Sequence, residues 1–512
     1  MPRLPSAKTI LLAAASLFYA VFIARTAFRV AGAPFFTLID DAMISMRYAQ
    51  HLAAGSGLVW NVGATPVEGF TNLGWTLVMA LMHLLPISPA FVSLGVMILA
   101  AAILVSNVAV VYAICRALQP KAHFAPLTAA IITAFYFPLV FWSLRGMEVG
   151  LLTLLISLAV LHAVREPRHK WRSTLLISLF LAVAVAVRLD AALQAIIVVG
   201  YILLRRRTER GKGAVLLAIV VLVVASILAF QAAYFGDPLP NTYYLKMAGS
   251  TVLERVQNGI LVFNDYAARD VLMMVVVSAL GIWFYRELHN REMLLLAALF
   301  ATQCVYSIWV GGDYAEPEIA SANRFIAQGV PALIIIFSIV CDRLLSDVLR
   351  SGTPSRSPAI VSSLVAFAAL LVVSGTPWFN WIVDNAPLLK ADIRRVHAGL
   401  AIAENTDPSA VIAVHAAGQI PYYSGRTTID LLGLNDPVIA KGPRSGAFYP
   451  GHDKWNYDYS IGQLRPDLIA DNWIRLGDYI KVHPDYRELG NRMYVRLDTT
   501  LVDESGLVDA YP

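Results

Sequence analysis

Two adjacent carboxylates, Asp40 and Asp41, are the residues of this sequence best suited to carry chemistry. They follow the first long apolar run at once, where a membrane-spanning helix would reach the lipid headgroups. Like charges side by side repel, and removing them from bulk water costs free energy unless a cation or ligand compensates. The alternative is a solvated acidic pair at a helix end. We favour a reaction centre, in which one carboxylate acts as general base on a sugar hydroxyl beside a phosphate leaving group.

Three arginines beside apolar runs, Arg145, Arg188 and Arg324, are candidates for binding that phosphate. A guanidinium is planar and permanently charged, so it makes bidentate contacts and stabilises an oxygen as its bond breaks. The alternative is that each side chain only extends from the end of a span to the headgroups. Arg324, downstream of Gly-Gly-Asp-Tyr at 311–314, is the best single candidate, and Lys246 is the second.

Further polar residues are candidates for binding the sugar or the acceptor. Glu68 could cap the helix that starts near Leu73 or bind sugar hydroxyls, and Asn241 and Tyr243 are predicted to line the cavity. Asn72 is predicted to cap a helix that starts near Leu73.

One histidine, His415, lies in a predicted strand, Val411 to His415. A lone histidine in a strand is usually structural, and a metal site is disfavoured. A contact to the sugar or acceptor is the functional alternative that we retain.

Composition indicates a polytopic membrane protein. The chain has 512 residues, of which 58% are hydrophobic and 15% charged, against about 25% charged residues in soluble proteins. The net charge of +5 comes from short basic clusters between apolar runs, so it does not indicate nucleic-acid binding. The three cysteines lie in or beside apolar runs and predict neither a disulfide framework nor a zinc site. The sequence contains no P-loop and no G-x-G-x-x-G, so a nucleotide-driven pump is unsupported.

About eleven apolar runs approach the length of roughly 20 residues that a bilayer crossing requires. They lie at 9–30, 91–115, 124–141, 148–164, 173–188, 190–204, 213–234, 269–286, 293–310, 325–345 and 359–377. The shorter apolar segment 75–85 is predicted to be an interfacial helix, with the helical run 44–52 as its partner.

Basic clusters occupy every second loop if eleven spans are drawn, which places those loops and the N-terminus in the cytoplasm. The clusters are Arg3 with Lys8; Arg116 with Lys121; Arg165, Arg168, Lys170 and Arg172; Arg205, Arg206, Arg207, Arg210 and Lys212; Arg286 with Arg291; and Arg343, Arg350 and Arg356. The exoplasmic loops, beginning with 31–90, then hold the candidate residues named above. This convergence favours an enzyme over a transporter or flippase of a lipid-linked sugar, which would place charges within spans. It would also be unexplained in a non-catalytic scaffold.

Residues 378–512 carry most of the remaining charge, and short strands alternate there with helical patterns. This pattern predicts a small α/β domain. The chain therefore divides into a membrane module, 1–377, and a domain, 378–512, that lies outside the cytoplasm.

Several segments, taken in order, resemble the motifs of one superfamily. They are 40–49 (DDAMISMRYA), 55–61 (GSGLVWN), 67–72 (VEGFTN), 142–148 (WSLRGME), 236–243 (GDPLPNTY), 311–314 (GGDY), 324–325 (RF) and 432–436 (LGLND). The sequence resembles polyprenyl-phosphate-sugar-dependent glycosyltransferases of the GT-C superfamily. Within it, the sequence is similar to the branch that contains the mycobacterial terminal arabinofuranosyltransferase and related bacterial envelope and pilin arabinosyltransferases.

The resemblance implies an inverting enzyme of the bacterial plasma membrane. It would transfer a sugar, arabinofuranose in this branch, from a polyprenyl-phosphate donor to a hydroxyl of a cell-envelope glycan, lipoglycan or pilin-type protein. Asp40 becomes the base and Arg324 the phosphate contact, while Asp41, Glu68 and Glu148 contact donor or acceptor. Asp313 joins the sugar-binding set through its motif. The lipid-linked sugar is then the one cosubstrate, and no metal is obligatory because the phosphate already leaves readily.

Overall fold

The computed structural model describes residues 5–165, 170–205, 210–313, 319, 323–350, 358–471, 473–489 and 493–510. Several residues of the patterns above lie outside these ranges, namely Arg3, Arg168, Arg206, Arg207, Tyr314 and Arg356. The chain divides into two compact units. Unit 1 comprises Met1–Arg25, Met97–Ile227 and Arg255–Ala386. Unit 2 comprises Thr26–Val96, Leu228–Glu254 and Pro387–Pro512.

Helices dominate the chain up to Asp384. They are α1 (Ala7–Arg25), α2 (Asp40–Ala53), α3 (Leu73–His83), α4 (Pro89–Leu118), α5 (Ala125–Phe135), α6 (Phe137–Leu144), α7 (Val149–Val164), α8 (Lys170–Val187), α9 (Ala191–Arg205), α10 (Arg210–Phe235), α11 (Asn241–Met247), α12 (Val252–Tyr266), α13 (Leu272–Phe284), α14 (Arg291–Trp309), α15 (Arg324–Ala327), α16 (Val330–Arg350) and α17 (Pro358–Asp384). A π-helical turn, Ala267–Val271, joins α12 to α13, and a 3-10 turn covers Arg286–Leu288. Two short strands, β1 (Phe28–Val30) and β2 (Ala33–Phe35), form a hairpin.

Among the described residues, six helices are long and apolar enough to cross a membrane. They are α1, α4, α10, the continuous stretch Val252–Phe284, α14 and α17. The pair α5 and α6 would form a seventh span, bent by 47°. Helices also occupy the other predicted runs, but several of them are shorter or more polar than this criterion requires. The chain is a multi-pass helical membrane protein, as predicted, and the count of eleven spans stays a prediction.

Two helix boundaries differ from the predictions. The structure begins a helix at Val252, between the predicted runs 213–234 and 269–286. The sequence pattern missed this helix because α12 carries polar side chains that lower its hydropathy. The π-helical turn accommodates Arg269 and Asp270 without ending the helix. Helix α17 runs on through Pro377 to Asp384. The missing N–H of a proline costs one hydrogen bond, which the remaining turns of a long helix tolerate.

The C-terminal region is an α/β domain, as predicted. Its helices are α18 (Leu389–Asn405), α19 (Gln419–Ser424), α20 (Pro437–Lys441), α21 (Leu476–Val482) and α22 (Glu504–Ala510). Its strands are β3 (Val411–Val414), β4 (Thr427–Asp430), β5 (Leu468–Ile469), β6 (Tyr486–Leu489) and β7 (Met493–Arg496), with a π-helical turn at Asp458–Gln463. The sheet has the order β4-β3-β5-β7-β6. Strand β3 pairs in parallel with β4 and β5, and β7 pairs antiparallel with β5 and β6.

Helix α2 is fixed within unit 2 by two side chains of its own. The buried guanidinium of Arg47 donates to the carbonyls of Trp60, Pro421 and Arg426. The hydroxyl of Tyr48 accepts from the N–H of Gly69 at 3.1 Å and donates to Asn435 Oδ1 at 2.9 Å. The first loop therefore packs into the α/β domain rather than standing apart from it.

Helices α2 and α3 pack against each other, so the predicted helical partnership is confirmed. Helix α3 starts at Leu73, as expected, but the side chain of Asn72 makes no capping bond. Its Oδ1 atom instead accepts from Ser45 Oγ at 2.8 Å. The capping role predicted for Asn72 is therefore wrong, because its Oδ1 accepts from the hydroxyls of Ser45 and Thr76 instead of a backbone N–H.

Candidate functional site

Asp40 is held by backbone amides from the C-terminal domain. It is the first residue of α2 and remains partly accessible. Its Oδ1 accepts from the N–H of Gly418 at 3.2 Å and of Gln419 at 3.0 Å. The side chain of Gln419 donates in turn to Leu38 O at 3.0 Å and to Asp392 Oδ1 at 2.8 Å. One carboxylate oxygen is therefore fixed by two donors that have no freedom to rotate away.

Gly418 is required for this arrangement. A Cβ atom on Gly418 would lie 2.1 Å from the backbone oxygen of Asp40 and 2.7 Å from its Oδ1. Real Cβ atoms do not approach so closely, so any other residue would push α2 away from α19.

Burial raises the pKa of Asp40 to about 7. Arg395 and the amide of Gln419 lower the pKa, while the charges of Asp41 and Asp392 raise it. Arg395 also lies 3.4 Å from Asp392. A carboxyl with a pKa near the working pH is well matched to general base catalysis, since it is both available and basic. Asp41 is also partly buried, in the first turn of α2.

Glu68 is a second carboxyl of unit 2 with a raised pKa. It is buried, and burial raises its pKa to about 7, against the hydrogen bonds that it accepts from Gln231. The amide Nε2 of Gln231 lies 3.0 Å and 2.8 Å from the two carboxylate oxygens. The backbone N–H of Asn241 donates to Glu68 O at 2.9 Å, so the structure brings these two predicted residues together.

The other predicted residues on α11 differ in accessibility. Asn241 is buried and donates its side-chain amide to the carbonyls of Gly433 and Leu434 at 2.8 Å and 3.1 Å. Tyr243 is exposed, and Lys246 is partly exposed beside Gly451. The Asn241 side chain therefore joins α11 to the 433–434 segment by hydrogen bonds, whereas Tyr243 and Lys246 are at least partly exposed to solvent.

Unit 1 brings two of the predicted arginines, Arg188 and Arg324, close together. The Arg188 and Arg324 guanidinium carbons each lie 5.4 Å from the ring centroid of Phe325. The Arg324 guanidinium carbon also lies 5.5 Å from the ring of Trp142. Arg145, at the end of the helix that carries Trp142, is completely buried. Permanently charged groups gathered in this way suit the binding of an anion.

Arg188 and Arg324 each form ionic contacts with carboxylates. Arg188 lies 2.6 Å from Glu148 and 2.9 Å from Asp190. Arg324 has a longer ionic contact, 3.5 Å to Asp313, whose Oδ2 also accepts from the backbone N–H of Arg324 at 2.9 Å. Both arginines are therefore paired with carboxylates, and Arg188 has the shorter ionic distances.

His415 belongs to a hydrogen-bond chain inside the domain. It is buried, its Nδ1 lies 2.8 Å from Asp471 Oδ1, and its Nε2 lies 2.9 Å from the hydroxyl of Tyr457. Both ring nitrogens are therefore engaged within the protein. Among the residues that the structure describes, no three His, Cys, Asp or Glu side chains are grouped as metal ligands would be. The predicted independence from a metal stays a prediction.

Sequence reasoning missed Gly418, Gln419, Asp392 and Arg395. They lie in the predicted α/β domain, far along the chain from Asp40, and none of them belongs to a local motif of catalytic type. The glycine directly before the short helix α19 is the one local signal, and a glycine at a helix start has many other causes.

The fold is that of the GT-C glycosyltransferases. The apo crystal structure of ArnT from Cupriavidus metallidurans is similar with a TM-score of 0.57 and 14% identity, over 95% of this chain and 97% of that one. The same protein bound to undecaprenyl phosphate gives 0.52 and 13%, over 82% and 85% of the two chains.

A second relative by structure is the archaeal oligosaccharyltransferase AglB from Archaeoglobus fulgidus, in complex with an inhibitory peptide and a dolichol-phosphate. It gives a TM-score of 0.56 and 10% identity, over 90% of this chain and 69% of that one. Residues 389–510 match a family model described as a domain of unknown function, DUF8728. No curated protein matches the sequence.

Proposed function

We propose that this protein is a glycosyltransferase that transfers a sugar from a polyprenyl-phosphate donor to a hydroxyl group, with Asp40 as general base. The observation that carries the proposal is the arrangement of Asp40, held by the amides of Gly418 and Gln419 with a pKa raised to about 7. The fold supports it, because the similar ArnT and AglB structures contain undecaprenyl phosphate and dolichol-phosphate.

The reaction is a single displacement. Asp40 takes the proton of the acceptor hydroxyl as that oxygen bonds to the anomeric carbon of the donor. The bond from that carbon to the phosphate oxygen breaks, and the polyprenyl phosphate leaves with its electron pair. Attack opposite the leaving group inverts the anomeric centre. The proton remains on Asp40 until solvent removes it.

Arg324 is proposed as the phosphate contact, since a guanidinium stabilises the charge that develops on the leaving oxygen. Arg145 and Lys246 are proposed as further cationic contacts. Arg188 is proposed to act indirectly, by orienting Glu148. Asp41, Glu68, Glu148 and Asp313 are proposed to bind sugar or acceptor hydroxyls, together with Tyr243. Asn241 and His415 are proposed only to position neighbouring groups, because their side chains are hydrogen-bonded within the protein.

Arabinofuranose is the proposed sugar, and a cell-envelope glycan, lipoglycan or pilin-type protein is the proposed acceptor. Both rest on the motif resemblance to the arabinofuranosyltransferase branch. The proposed location is the bacterial plasma membrane, with the reaction and the C-terminal domain on the exoplasmic side, as the basic clusters indicate.

The test uses purified protein in lipid nanodiscs with a labelled polyprenyl-phosphate arabinofuranose and membrane extract as the source of acceptor. Asp40→Asn is expected to lower transfer by about 10²- to 10⁴-fold, which is the usual contribution of a general base. Asp41→Asn is the matched control, because it removes the same charge from the next residue.

Equal transfer by wild type and Asp40→Asn would contradict the assignment of the base, and a collapse in Asp41→Asn alone would move the base to Asp41. Binding of the donor without its consumption by the wild type would overturn the arabinofuranose assignment if a hexose donor were transferred instead. If no donor were consumed, a transporter of lipid-linked sugars would become the better explanation.

A further inference from the structure

Trp473 is an accessible tryptophan in the C-terminal domain that the function proposed above does not use. It is 43% exposed, in the loop between β5 and α21. The two residues that follow it, Ile474 and Arg475, have left-handed backbones with φ angles of 45° and 58°. A branched residue rarely adopts this conformation, and such strain persists where the surroundings enforce it, often at binding sites.

A buried hydrogen-bond chain holds this strained segment. The hydroxyl of Tyr457 lies 3.3 Å from the carbonyl oxygen of Trp473 and 2.7 Å from that of Ile474. The same hydroxyl lies 2.9 Å from His415 Nε2, and His415 Nδ1 lies 2.8 Å from Asp471. Asp471 also accepts from the backbone N–H of His415 at 2.8 Å. The backbone that carries the indole is therefore held in place, while Trp473 itself stays partly exposed.

Two imidazole rings support the indole at steep angles. The ring of His452 lies 5.5 Å from that of Trp473 at 62°, and the ring of His415 lies 6.2 Å away at 75°. Asp471 and His452 keep part of their surface accessible next to the tryptophan. A partly exposed aromatic side chain beside hydrogen-bonding side chains combines the two kinds of contact that a sugar requires.

We propose that Trp473 is a stacking platform for a sugar ring of the acceptor glycan. This inference rests on the proposed function, and it adds an acceptor subsite in the C-terminal domain. The weakly positive C–H groups of a sugar ring pack on the negative face of the indole. The hydroxyls of the sugar hydrogen-bond to Asp471 and His452. His415 and Tyr457 are positioning residues, because they hold the backbone of Trp473 and its neighbour.

A membrane-facing tryptophan is the competing explanation, since tryptophan is enriched at the lipid interface. The structure favours the sugar. Insertion into the headgroups would desolvate the carboxylate of Asp471 together with the indole, and an interfacial tryptophan needs no strained backbone to fix its orientation.

Direct binding is measured on the full chain in nanodiscs with 5-fluorotryptophan and ¹⁹F NMR. The resonance of Trp473 is identified by its loss in Trp473→Phe. Arabino-, galacto- and gluco-oligosaccharides are titrated separately, and a spin-labelled phospholipid is added to a second sample. A shift of the Trp473 resonance by an oligosaccharide, without broadening by the lipid, supports the proposal. Broadening by the lipid with no shift, or no response to either, would overturn it.

Transfer kinetics give the second measurement. Trp473→Ala is expected to raise the acceptor KM about three- to tenfold, the effect of losing one aromatic stacking contact. The donor KM should stay constant, and Trp473→Phe should restore most of the loss. Tyr457→Phe keeps the ring and should raise the acceptor KM as well. Val482→Ala, at an exposed position of the same domain, is the control that should change neither KM.

The two proposals fail in distinguishable ways. An absence of transfer by the wild type would overturn the glycosyltransferase, whereas the ¹⁹F titration would still report whether an oligosaccharide binds. Normal transfer with an unchanged acceptor KM in Trp473→Ala would overturn the platform alone.

Discussion

At the scale of single residues, the properties of Asp40 depend both on its place at the start of α2 and on its contacts with the C-terminal domain. Two carboxylates in the first turn of a helix are stabilised by its dipole, and that effect alone would favour the ionised form of both. Burial against the C-terminal domain acts in the opposite direction and raises the pKa of Asp40 to about 7. The sequence singles out Asp40 as a candidate, whereas its raised pKa depends on a contact that no local pattern encodes.

The raised pKa predicts a pH dependence of transfer. A base must be deprotonated, so kcat/KM should rise with pH and level off above an apparent pKa near 7. Glu68 also has a pKa of about 7, so it could produce the same profile. Glu68→Gln is therefore the control, and an inflection that persists in this variant belongs to Asp40. An inflection that disappears in Glu68→Gln would assign the profile to Glu68 instead.

The same shift predicts a pH-dependent effect on stability. The folded pKa of Asp40 lies above its unfolded value of about 4, so ionisation costs stability as pH rises between the two values. Asp40→Asn removes this cost and keeps an acceptor oxygen for Gly418 and Gln419. At pH 8 the variant should melt at least about 2 °C above wild type, and the difference should vanish near pH 4. A constant difference across this range in thermal scans would contradict the prediction.

Arg324 gives a third prediction at this scale. Arg324→Gln should weaken binding of undecaprenyl phosphate by roughly 10- to 100-fold, the value of a charge-assisted hydrogen bond. Arg324→Lys should lose less, because it keeps the charge and loses the bidentate geometry. Arg188→Gln is the comparison. It leaves Glu148 and Asp190 without their close partner, so its main effect should be a lower melting temperature.

At the scale of elements, α19 does more than its six residues suggest. Its first turn supplies amides to Asp40, and the carbonyl of Pro421 within it accepts from Arg47 of α2. A short helix with no hydrophobic pattern of its own thus fixes two residues of α2, Asp40 and Arg47. The apolar pattern identified the long helices because their burial in lipid or in the core requires apolar side chains. It cannot identify a helix of six residues such as α19.

Gly418→Ala tests this element. The added methyl would overlap the backbone of Asp40, so transfer should fall at least about tenfold, with a stability loss of about 1–3 kcal/mol. Gly425, at the other end of α19, has a φ of 63° and nothing within 4 Å of a built Cβ. Gly425→Ala should therefore cost about 1 kcal/mol of stability and leave transfer unchanged. Equal losses of activity in the two variants, measured at equal folded fractions, would contradict the proposed role of Gly418.

At the scale of the whole molecule, the sequence predicted the class of fold and the α/β character of the C-terminal region. It treated 378–512 as separate from the first loop, whereas Thr26–Val96 and the C-terminal residues belong to one compact unit. Contacts such as Arg47 with Pro421 join residues far apart along the chain. A single sequence carries no signal for pairings of that kind, because each partner obeys its own local pattern.

Membrane topology is the prediction that belongs to this scale. The basic clusters place Lys121 in the cytoplasm and the C-terminal domain outside it. Both Lys121 and Val482 are exposed, while the native Cys115 and Cys304 are buried. An impermeant maleimide applied to intact spheroplasts should label Val482→Cys, and should label Lys121→Cys only after permeabilisation. The reverse pattern would contradict the orientation.

The hydrogen bond between Asp40 and Gly418 also has a consequence for biosynthesis. The two residues are 378 positions apart, and a ribosome adding about 5–20 residues per second makes the second roughly 20 to 80 seconds after the first. A nascent chain inserted in the bilayer therefore lacks the amides that orient Asp40 until Gly418 and Gln419 have been made. On the proposed function, a nascent chain that has not reached Gly418 cannot orient its base, so it does not consume lipid-linked donor.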